Sequence, residues 1–438
     1  MKTTSHIPAQ APTLRLWVMM VLEFAIWGAW LPLIWGYMGK DGLAFTESQI
    51  AWVGSAFAIA SIVGIFFSSQ FADRSFAAEK FMAFSHLVGG VAILGMYWAK
   101  EISAATGLGV FPVFFGLMLV HSLLYVPTIS VSNSIAFAHM KNAQKEFGLV
   151  RMGGTIGWIL AAWPLYFVLQ GKEGVAAVEA SRNIFLVAGI TSLALAAYSL
   201  FLPHTPPKKA APGDGFAWLK AARFLAHPYL LVLFLVTFID AVIHNGYFVM
   251  AGDFLKSDAV GIKPEWIMPV MSIGQVAEIA TMAVLGGVLA RLGWKTTMIL
   301  GILGHAARFA VFAFFPQSQA VIIAVQVLHG ICYAFFFATL YIFIDAAFPK
   351  DVRSSAQSLF NLLVLGLGDL AAKWLFIPLQ GRLTAPDGGV DYRQLFLVPT
   401  FMALAAAAVL AVAFWPPRSL ATAANTKDDL ETEPQLVT

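Results

Sequence analysis

Residues 14–37 read LRLWVMMVLEFAIWGAWLPLIWGY, and Arg15 and Glu23 are the only charged residues in this stretch. A transmembrane helix needs about 20 mainly apolar residues to cross the hydrocarbon core of a bilayer. The stretch therefore predicts a first membrane-spanning helix. A charge at bilayer depth costs roughly 2.5–3.5 kcal/mol on insertion scales. We therefore expect Glu23 to face a water-filled cavity, with a pair to Arg308 or to a histidine as the alternative.

The composition of the whole chain agrees with a membrane protein. Of its 438 residues, 59% are hydrophobic and only 12% are charged, whereas soluble domains contain about 25% charged residues. The net charge of +3 does not suggest a nucleic-acid partner. A single cysteine, Cys332, excludes an internal disulfide and a cysteine metal cluster. Nucleotide-binding and hydrolase motifs are absent, so we predict no enzyme activity, no cofactor and no metal site.

Eleven further apolar stretches of similar length follow the first one. They predict an all-α integral membrane protein with twelve transmembrane helices. The predicted spans are Leu14–Tyr37, Ser48–Phe71, Lys80–Trp98, Gly109–Phe137, Phe147–Leu169, Asn183–Leu202, Pro228–Leu255, Glu265–Leu292, Thr296–Phe315, Gln319–Phe348, Ser354–Gln380 and Gln394–Trp415.

A long polar break divides the spans into two six-helix halves. We predict an N-terminal half over residues 1–202, a cytoplasmic linker over 203–227, a C-terminal half over 228–420 and a disordered tail over 421–438. Sixteen Lys and Arg residues flank the spans on the side of the termini, against eight on the other side. Because basic residues concentrate on the cytoplasmic side, both termini are predicted to be cytoplasmic.

Three further charges, Arg151, Glu278 and Arg308, lie inside predicted spans. Intramembrane charges tend to mark the path of an ion or a substrate. In a chain this hydrophobic they indicate a transporter. We expect a structural, inter-helix role for Arg308, and we expect Lys373 to pair with Asp369 one helical turn earlier.

The loops after the second and eighth spans are equivalent in the two halves. The first contains Phe71-Ala72-Asp73-Arg74 and the second contains Arg291 and Lys295. Six plus six spans with a basic linker resemble the major facilitator superfamily, and Ala-Asp-Arg is similar to a reduced form of its loop signature. The resemblance implies the major facilitator fold, with Asp73 and Arg74 as a conformational latch.

Six short stretches resemble one family in more detail, and they occur in its order and spacing. This family is the nucleoside:proton symporter family of bacterial inner membranes. The stretches are residues 24–31 (FAIWGAWL), 125–128 (YVPT), 150–158 (VRMGGTIGW), 275–278 (QVAE), 308–312 (RFAVF) and 353–357 (RSSAQ). The resemblance implies import of a nucleoside such as uridine or adenosine together with protons, by a monomer in the inner membrane.

Helical spacing and this resemblance together give a predicted substrate site. Arg151 and Thr155 are four residues apart and share a helix face, with Trp158 beside them, and Gln275 and Glu278 are three apart on another helix. A nucleoside needs hydrogen bonds for its hydroxyls and an aromatic face for its base. The resemblance implies that these five residues contact or line the substrate site.

The seventh and tenth spans depart from the family pattern. The seventh contains Asp240, His244, Asn245 and Tyr247, where better-known members have Gln and Asn, and a histidine responds to pH. The tenth has Ala334 after Tyr333, where those members have a carboxylate. We therefore add the following residues to the predicted substrate site: His244, Asn245, Tyr247, His329 and Tyr333.

Proton coupling through the tenth span is in question because that carboxylate is missing. Glu278 is the first candidate for the coupling residue, followed by Asp240 and His244, and loss of coupling would leave facilitated diffusion. Two other functions remain open, an oligosaccharide symporter and a drug exporter of the same superfamily. For the nucleoside importer and for both alternatives we expect alternating access, in which the two halves rock around a site at the membrane midplane.

Overall fold

The structure is a computed structural model that describes residues 12–140, 143–207, 221–349, 352–417 and 420. At residues 12, 65–75, 143–145, 147 and 354 it describes only the backbone. The described part of the chain is helical apart from its loops and one isolated β-bridge between Thr384 and Val390. Most of the predicted linker and the whole predicted tail lie outside the described residues.

Ten α-helices form the described part of the N-terminal half. They are α1 (Pro12–Trp30), α2 (Ile34–Met38), α3 (Glu47–Ser75), α4 (Ala78–Gly95), α5 (Ala99–Thr106), α6 (Val110–His139), α7 (Ala143–Leu160), α8 (Ala162–Leu169), α9 (Gly174–Ser181) and α10 (Asn183–Ser199). Short breaks divide some spans, so α4 with α5, α7 with α8 and α9 with α10 each act as one membrane-crossing segment.

Eight α-helices form the C-terminal half of the described chain. They are α11 (Pro228–Lys256), α12 (Ile267–Phe314), α13 (Gln319–Val325), α14 (Val327–Cys332), α15 (Thr339–Ala347), α16 (Arg353–Asn361), α17 (Gly368–Arg382) and α18 (Tyr392–Ala413). Two π-helical stretches, Tyr333–Ala338 and Leu362–Leu367, join α14 to α15 and α16 to α17.

Twelve membrane crossings follow from these helices. Ten described segments are long and apolar enough to cross a bilayer. The 29-residue helix α3 adds another. The 48-residue helix α12 is two rods, because Gly293 has a left-handed φ of 68° where the chain turns back. The twelve predicted spans are thereby confirmed, with helix ends that differ from the prediction by up to nine residues.

Local sequence explains where several helices begin. Thr46 and Gln49 form a reciprocal capping box at the start of α3, which satisfies two otherwise unpaired backbone N–H groups. Pro228 is the first residue of α11, where a missing N–H costs nothing. The outer surface is apolar, with Phe167, Leu200 and Val412 more than two-thirds exposed. Such a surface is suited to contact with lipid.

The two halves touch on the side opposite the first and last described residues, 12 and 420, which we call the far side. There, the Trp374 indole on α17 donates a hydrogen bond of 3.1 Å to Ser55 on α3. Trp52 packs edge-on against the same ring at 5.5 Å. On the other flank, Tyr166 of α8 packs against Trp266 at 5.0 Å. These contacts close the space between the halves on the far side.

Candidate functional site

Arg151 on α7 is a partly exposed charge at the inner face of the N-terminal half. Its guanidinium lies 4.1 Å from the centre of the Phe24 ring on α1. Close packing of α1 on α7 makes this contact possible, since a β-carbon at Gly28 would lie 2.9 Å from the Trp158 Cα atom. The cation–π contact holds the guanidinium over the ring and leaves its in-plane N–H donors available.

Glu278 on α12 is the charge that faces Arg151 from the C-terminal half. It is partly exposed, and it interacts electrostatically with Arg151. The two described side chains do not form a direct ion pair, because their charged atoms are more than 4 Å apart. Glu278 lies where α12 packs directly on α14, because Gly330 has no side chain to hold the two backbones apart. Opposite charges from the two halves thus flank the same space.

Aromatic rings form a continuous wall beside these charges. Trp27 of α1 stacks on Phe57 of α3 at 4.7 Å and meets Trp158 of α7 edge-on at 5.5 Å. Trp158 in turn contacts Phe248 of α11 at 5.7 Å. The wall therefore crosses from one half to the other. Partly exposed rings of this kind can stack with a flat heterocycle.

Tyr333 and Tyr341 complete the polar surface from the tenth span. Both are partly exposed and interact electrostatically with Arg151. The Tyr341 hydroxyl donates a hydrogen bond of 2.5 Å to the side-chain oxygen of Asn361 on α16. Sequence reasoning missed Tyr341 and Asn361. The eight-residue spacing of the tyrosines, roughly two helical turns, was a signal that could have identified Tyr341.

Behind this surface, the C-terminal half contains a buried network of charged and histidine side chains. Asp240 of α11 and His305 of α12 form a fully buried pair at 2.9 Å. Arg308, also fully buried, donates from Nη1 to His329 Nδ1 at 2.6 Å and lies 4.1 Å above the Tyr247 ring. Arg308 therefore has the inter-helix role that we expected.

His244 lies between the buried network and the open surface. Its ring stacks on His329 at 5.0 Å, and its centre lies 5.7 Å from that of His305. On its other side it approaches Phe248 at 5.6 Å and Tyr333 at 6.0 Å. Of the histidines in the network it is the most exposed, at 9%.

The predicted substrate residues fall into two groups. Arg151, Thr155, Trp158, Glu278 and Tyr333 are partly exposed. Asn245 is also partly exposed, but its amide group donates to the carbonyls of Ala241 and Val364. The structure places the others deeper: His244 is buried, and Tyr247 donates to Gln326 at 2.8 Å. His329 is held by Arg308, and Gln275 is only 5% exposed, with an Oε1 atom that has no described partner.

The expectation that Glu23 faces a cavity is wrong. Glu23 is fully buried, its Oε2 lies 2.9 Å from His86 Nε2, and its Oε1 accepts from Thr128 at 2.7 Å. Internal partners thus offset the cost of burying the charge. The expected pair of Lys373 with Asp369 is present in α17. The side chains of Asp73 and Arg74 lie outside the described residues, so the latch stays a prediction.

No group of three or more metal-ligating side chains occurs among the described residues. A cleft between two six-helix halves, with charges from both halves and an aromatic wall, defines a secondary transporter of the major facilitator type. A crystal structure of the nucleoside transporter NupG has the same fold, with a TM-score of 0.78 at 22% identity over 93% of this chain and 100% of that one.

Sequence comparison identifies the family. The family profile described as "Nucleoside H+ symporter" matches residues 11–419, so the chain belongs to this family of proton-coupled nucleoside importers and is not an enzyme. The putative nucleoside transporter YegT of Escherichia coli K12 is 32% identical over 82% of both chains. The xanthosine permease of the same organism is 27% identical over 88% of this chain and 91% of that one.

Proposed function

We propose that the nucleoside binds in the cleft between the halves, at Arg151, Thr155, Gln275 and Glu278. The observation that supports this most strongly is that Arg151 and Glu278 face each other from opposite halves, each partly exposed. The Glu278 carboxylate can accept from ribose hydroxyls, and the Arg151 guanidinium can donate to carbonyl oxygens of the base. A ligand that bridges them would hold the two halves in one arrangement.

Trp158 provides a face for the base in this proposal. Its ring is partly exposed and is supported by Trp27 behind it and Phe248 beside it. Tyr333 and Tyr341 offer hydroxyl groups on the opposite side of the cleft. The arrangement combines apolar stacking surface with a few polar groups, as small-molecule sites commonly do.

We place proton coupling among Glu278, Asp240 and His244. Glu278 lies in the cleft itself, whereas Asp240 lies in the buried network and His244 lies between the two. A carboxyl group that is neutral in one conformation and charged in the other favours different arrangements of the halves. Alternating access around a midplane site would then transfer nucleoside and proton together.

The membrane location, the orientation of the termini and the monomeric state predicted from the sequence are part of the same proposal. The basic residues on the side of the termini favour a cytoplasmic location for both ends in a bacterial inner membrane. The apolar outer surface would contact the lipid bilayer directly. We expect a monomer, since the proposed site lies between two halves of one chain. Asp73 and Arg74 would latch one conformation from the loop after the second span.

Uptake into proteoliposomes tests the proposal. Radiolabelled uridine and adenosine would be offered to vesicles containing the purified protein, with and without an inward proton gradient. A gradient of about one pH unit should drive about tenfold accumulation at one proton per nucleoside. Absence of both accumulation and counterflow exchange would contradict the proposed substrate. Uptake of an oligosaccharide instead, or proton-driven removal of uridine, would support the other two functions.

A further inference from the structure

The two halves contain matching buried carboxylate–histidine pairs. Glu23 in the first span pairs with His86 in the third, and Asp240 in the seventh pairs with His305 in the ninth, each at 2.9 Å. Glu23 is eleven residues from the first residue of α1, and Asp240 is twelve from that of α11. Equivalent spans of the two halves therefore provide equivalent residues at the same depth.

The match extends to the fourth and tenth spans. Each has a histidine followed four residues later by a tyrosine, His121 with Tyr125 and His329 with Tyr333. His121 Nδ1 bonds to the carbonyl of Gly89, three residues after His86. His329 Nδ1 bonds to Arg308, three residues after His305. The C-terminal half thus has a cation where the N-terminal half has a backbone carbonyl.

The two pairs differ in how completely they are satisfied. Both oxygens of Glu23 and both ring nitrogens of His86 have partners, the second nitrogen being 3.2 Å from Ser192 Oγ. In the C-terminal pair, Asp240 Oδ2 and His305 Nε2 are buried without a partner among the described residues. Buried polar atoms without partners cost about 1–3 kcal/mol each, so their persistence suggests a functional role.

Hydrogen-bond chemistry fixes the protonation of His329 in this network. Arg308 can only donate, so His329 Nδ1 must accept and His329 is the neutral tautomer with its proton on Nε2. When Asp240 is a carboxylate and His305 is neutral, His305 Nδ1–H donates to Asp240 and Nε2 keeps a lone pair. That nitrogen has no hydrogen-bond partner among the described residues, and the Cys332 side chain is the neighbour that interacts with the ring. A proton that enters the network can therefore bind at His305 Nε2.

We propose that the Asp240–His305 pair holds the coupled proton, in place of a carboxylate on the tenth span. The proton would bind His305 Nε2 while Nδ1–H still donates to Asp240, giving an imidazolium beside a carboxylate. It would leave to water on the other side of the membrane after the halves have moved, which restores the neutral ring. This inference rests on the proposed function. Of its candidate coupling residues it keeps Asp240, and it adds His305 as the group that binds the proton.

The groups around the pair suit this role. His244, on the same helix as Asp240, is buried at 9% exposure, and its ring lies between His305 and the Tyr333 ring at the cleft. Arg308 lies close enough to interact with Asp240, and Cys332 of the tenth span interacts with His305. His329 and Tyr247 hold Arg308 in place. Since the Arg308 cation would disfavour a second positive charge nearby, it would promote release of the proton.

The tenth span connects the proton to the nucleoside. His329 bonds to Arg308 in the network, and Tyr333, four residues later, interacts with Glu278 in the cleft. A shift of this span would therefore alter both places at once. In the N-terminal half, Tyr125 likewise donates to the Glu23 carbonyl at 2.8 Å and interacts with Arg151. That pair differs because both oxygens of Glu23 and both ring nitrogens of His86 already have partners, which leaves no open atom for a proton.

The test compares the two pairs directly in proteoliposomes. Asp240→Asn and His305→Gln should reduce accumulation from about tenfold to about equal concentrations under a one-unit pH gradient, while counterflow exchange of uridine persists. Uridine-driven proton entry, followed with a trapped pH indicator, should disappear. The matched variants Glu23→Gln and His86→Gln should keep accumulation and proton entry wherever they fold. Asp240→Glu, which retains a carboxylate, should restore part of the coupling.

Each outcome decides between the two proposals. Accumulation that survives in Asp240→Asn and His305→Gln but is lost in Glu278→Gln would overturn the inference and place the proton on Glu278. A wild-type protein that neither accumulates nor exchanges uridine would instead contradict the proposed function. If neither variant folds, the wild-type protein can still be tested by infrared difference spectroscopy with isotope-labelled histidine, which detects changes in histidine protonation. Absence of any histidine protonation change across the transport pH range would overturn the inference.

Discussion

At the scale of single residues, Arg151 is the side chain on which nucleoside recognition should depend most. Arg151→Ala removes charge-assisted hydrogen bonds to the ligand, each worth about 1.5–3 kcal/mol, so Kd for uridine should rise roughly 10- to 100-fold. Arg151→Lys keeps the charge without the planar fork and should recover only part of the affinity. Isothermal titration of the purified variants measures the change.

Arg182 provides the matched control for Arg151. It also lies over an aromatic ring, that of Tyr97 at 4.4 Å, but it is exposed on the far side with Glu101 at 3.7 Å. Arg182→Ala should leave uridine affinity within about twofold, because exposed ion pairs contribute roughly 0–1 kcal/mol. Equal affinities in the wild type and Arg151→Ala would show that the substrate site lies elsewhere.

Trp158 tests the aromatic wall. Stacking of a base on an aromatic side chain is worth about 1–3 kcal/mol, so Trp158→Ala should weaken binding of uridine and adenosine alike by roughly 5- to 100-fold. Trp158→Phe should retain a large part of the affinity. Thermal-shift titration with both nucleosides gives the comparison. Trp163→Ala, on the adjacent helix and 44% exposed, is the control expected to bind normally.

The residues of the site differ in how far the sequence alone predicts them. Arg151 and Glu278 could be identified because a charge inside an apolar helix stands out in any window of the sequence. The partner of Glu23 could not, since His86 is 63 positions away and either cavity water or a histidine would relieve the same burial cost. The burial of Tyr247 and His329 likewise depends on how their helices are rotated about their axes. A helix that is hydrophobic on all sides carries no sequence pattern that reveals this rotation.

At the scale of helices, close approach of α12 to α14 positions Glu278. A β-carbon at Gly330 would overlap the Glu278 backbone nitrogen, and overpacking of this kind costs about 1–3 kcal/mol. Gly330→Ala should therefore lower the unfolding temperature and weaken uridine binding together. Fluorescence-detected thermal unfolding in detergent measures the first effect, and titration measures the second.

Gly116 of α6 is the control for Gly330, because a β-carbon there meets open space. Gly116→Ala should unfold at or slightly above the wild-type temperature, since alanine favours a helix over glycine by up to about 1 kcal/mol. If both alanine variants behaved alike, the close approach of the two helices would not be what positions Glu278.

Helix number was predictable at this scale, and helix irregularity was not. Twelve runs of about 20 apolar residues leave little choice in a bilayer, where backbone groups must bond within the helix. The π-helical stretches at Tyr333–Ala338 and Leu362–Leu367 change neither length nor hydropathy. They occur where the tenth and eleventh spans adjoin the cleft, and such irregularities are frequent at functional sites.

At the scale of the whole molecule, contact between the halves on the far side should be reversible during transport. Alternating access requires that side to open once per cycle, which separates the end of the first span from the end of the seventh. There, a β-carbon at Gly36 would lie 3.0 Å from the Asp253 side-chain oxygen. A short covalent link between these positions would hold the far side closed.

The double variant Gly36→Cys with Asp253→Cys therefore should lose nucleoside uptake when it is treated with a short bifunctional thiol reagent. Cleavage of a disulfide-containing linker with a reductant should restore transport. The native Cys332 is fully buried and should not react.

Binding of uridine to the linked protein in detergent should persist, because the link lies away from Arg151 and Glu278. Each single-cysteine variant, treated identically, should continue to transport. Full transport by a protein shown by mass spectrometry to be completely linked would mean that the halves do not separate at this contact, and alternating access would require a different opening.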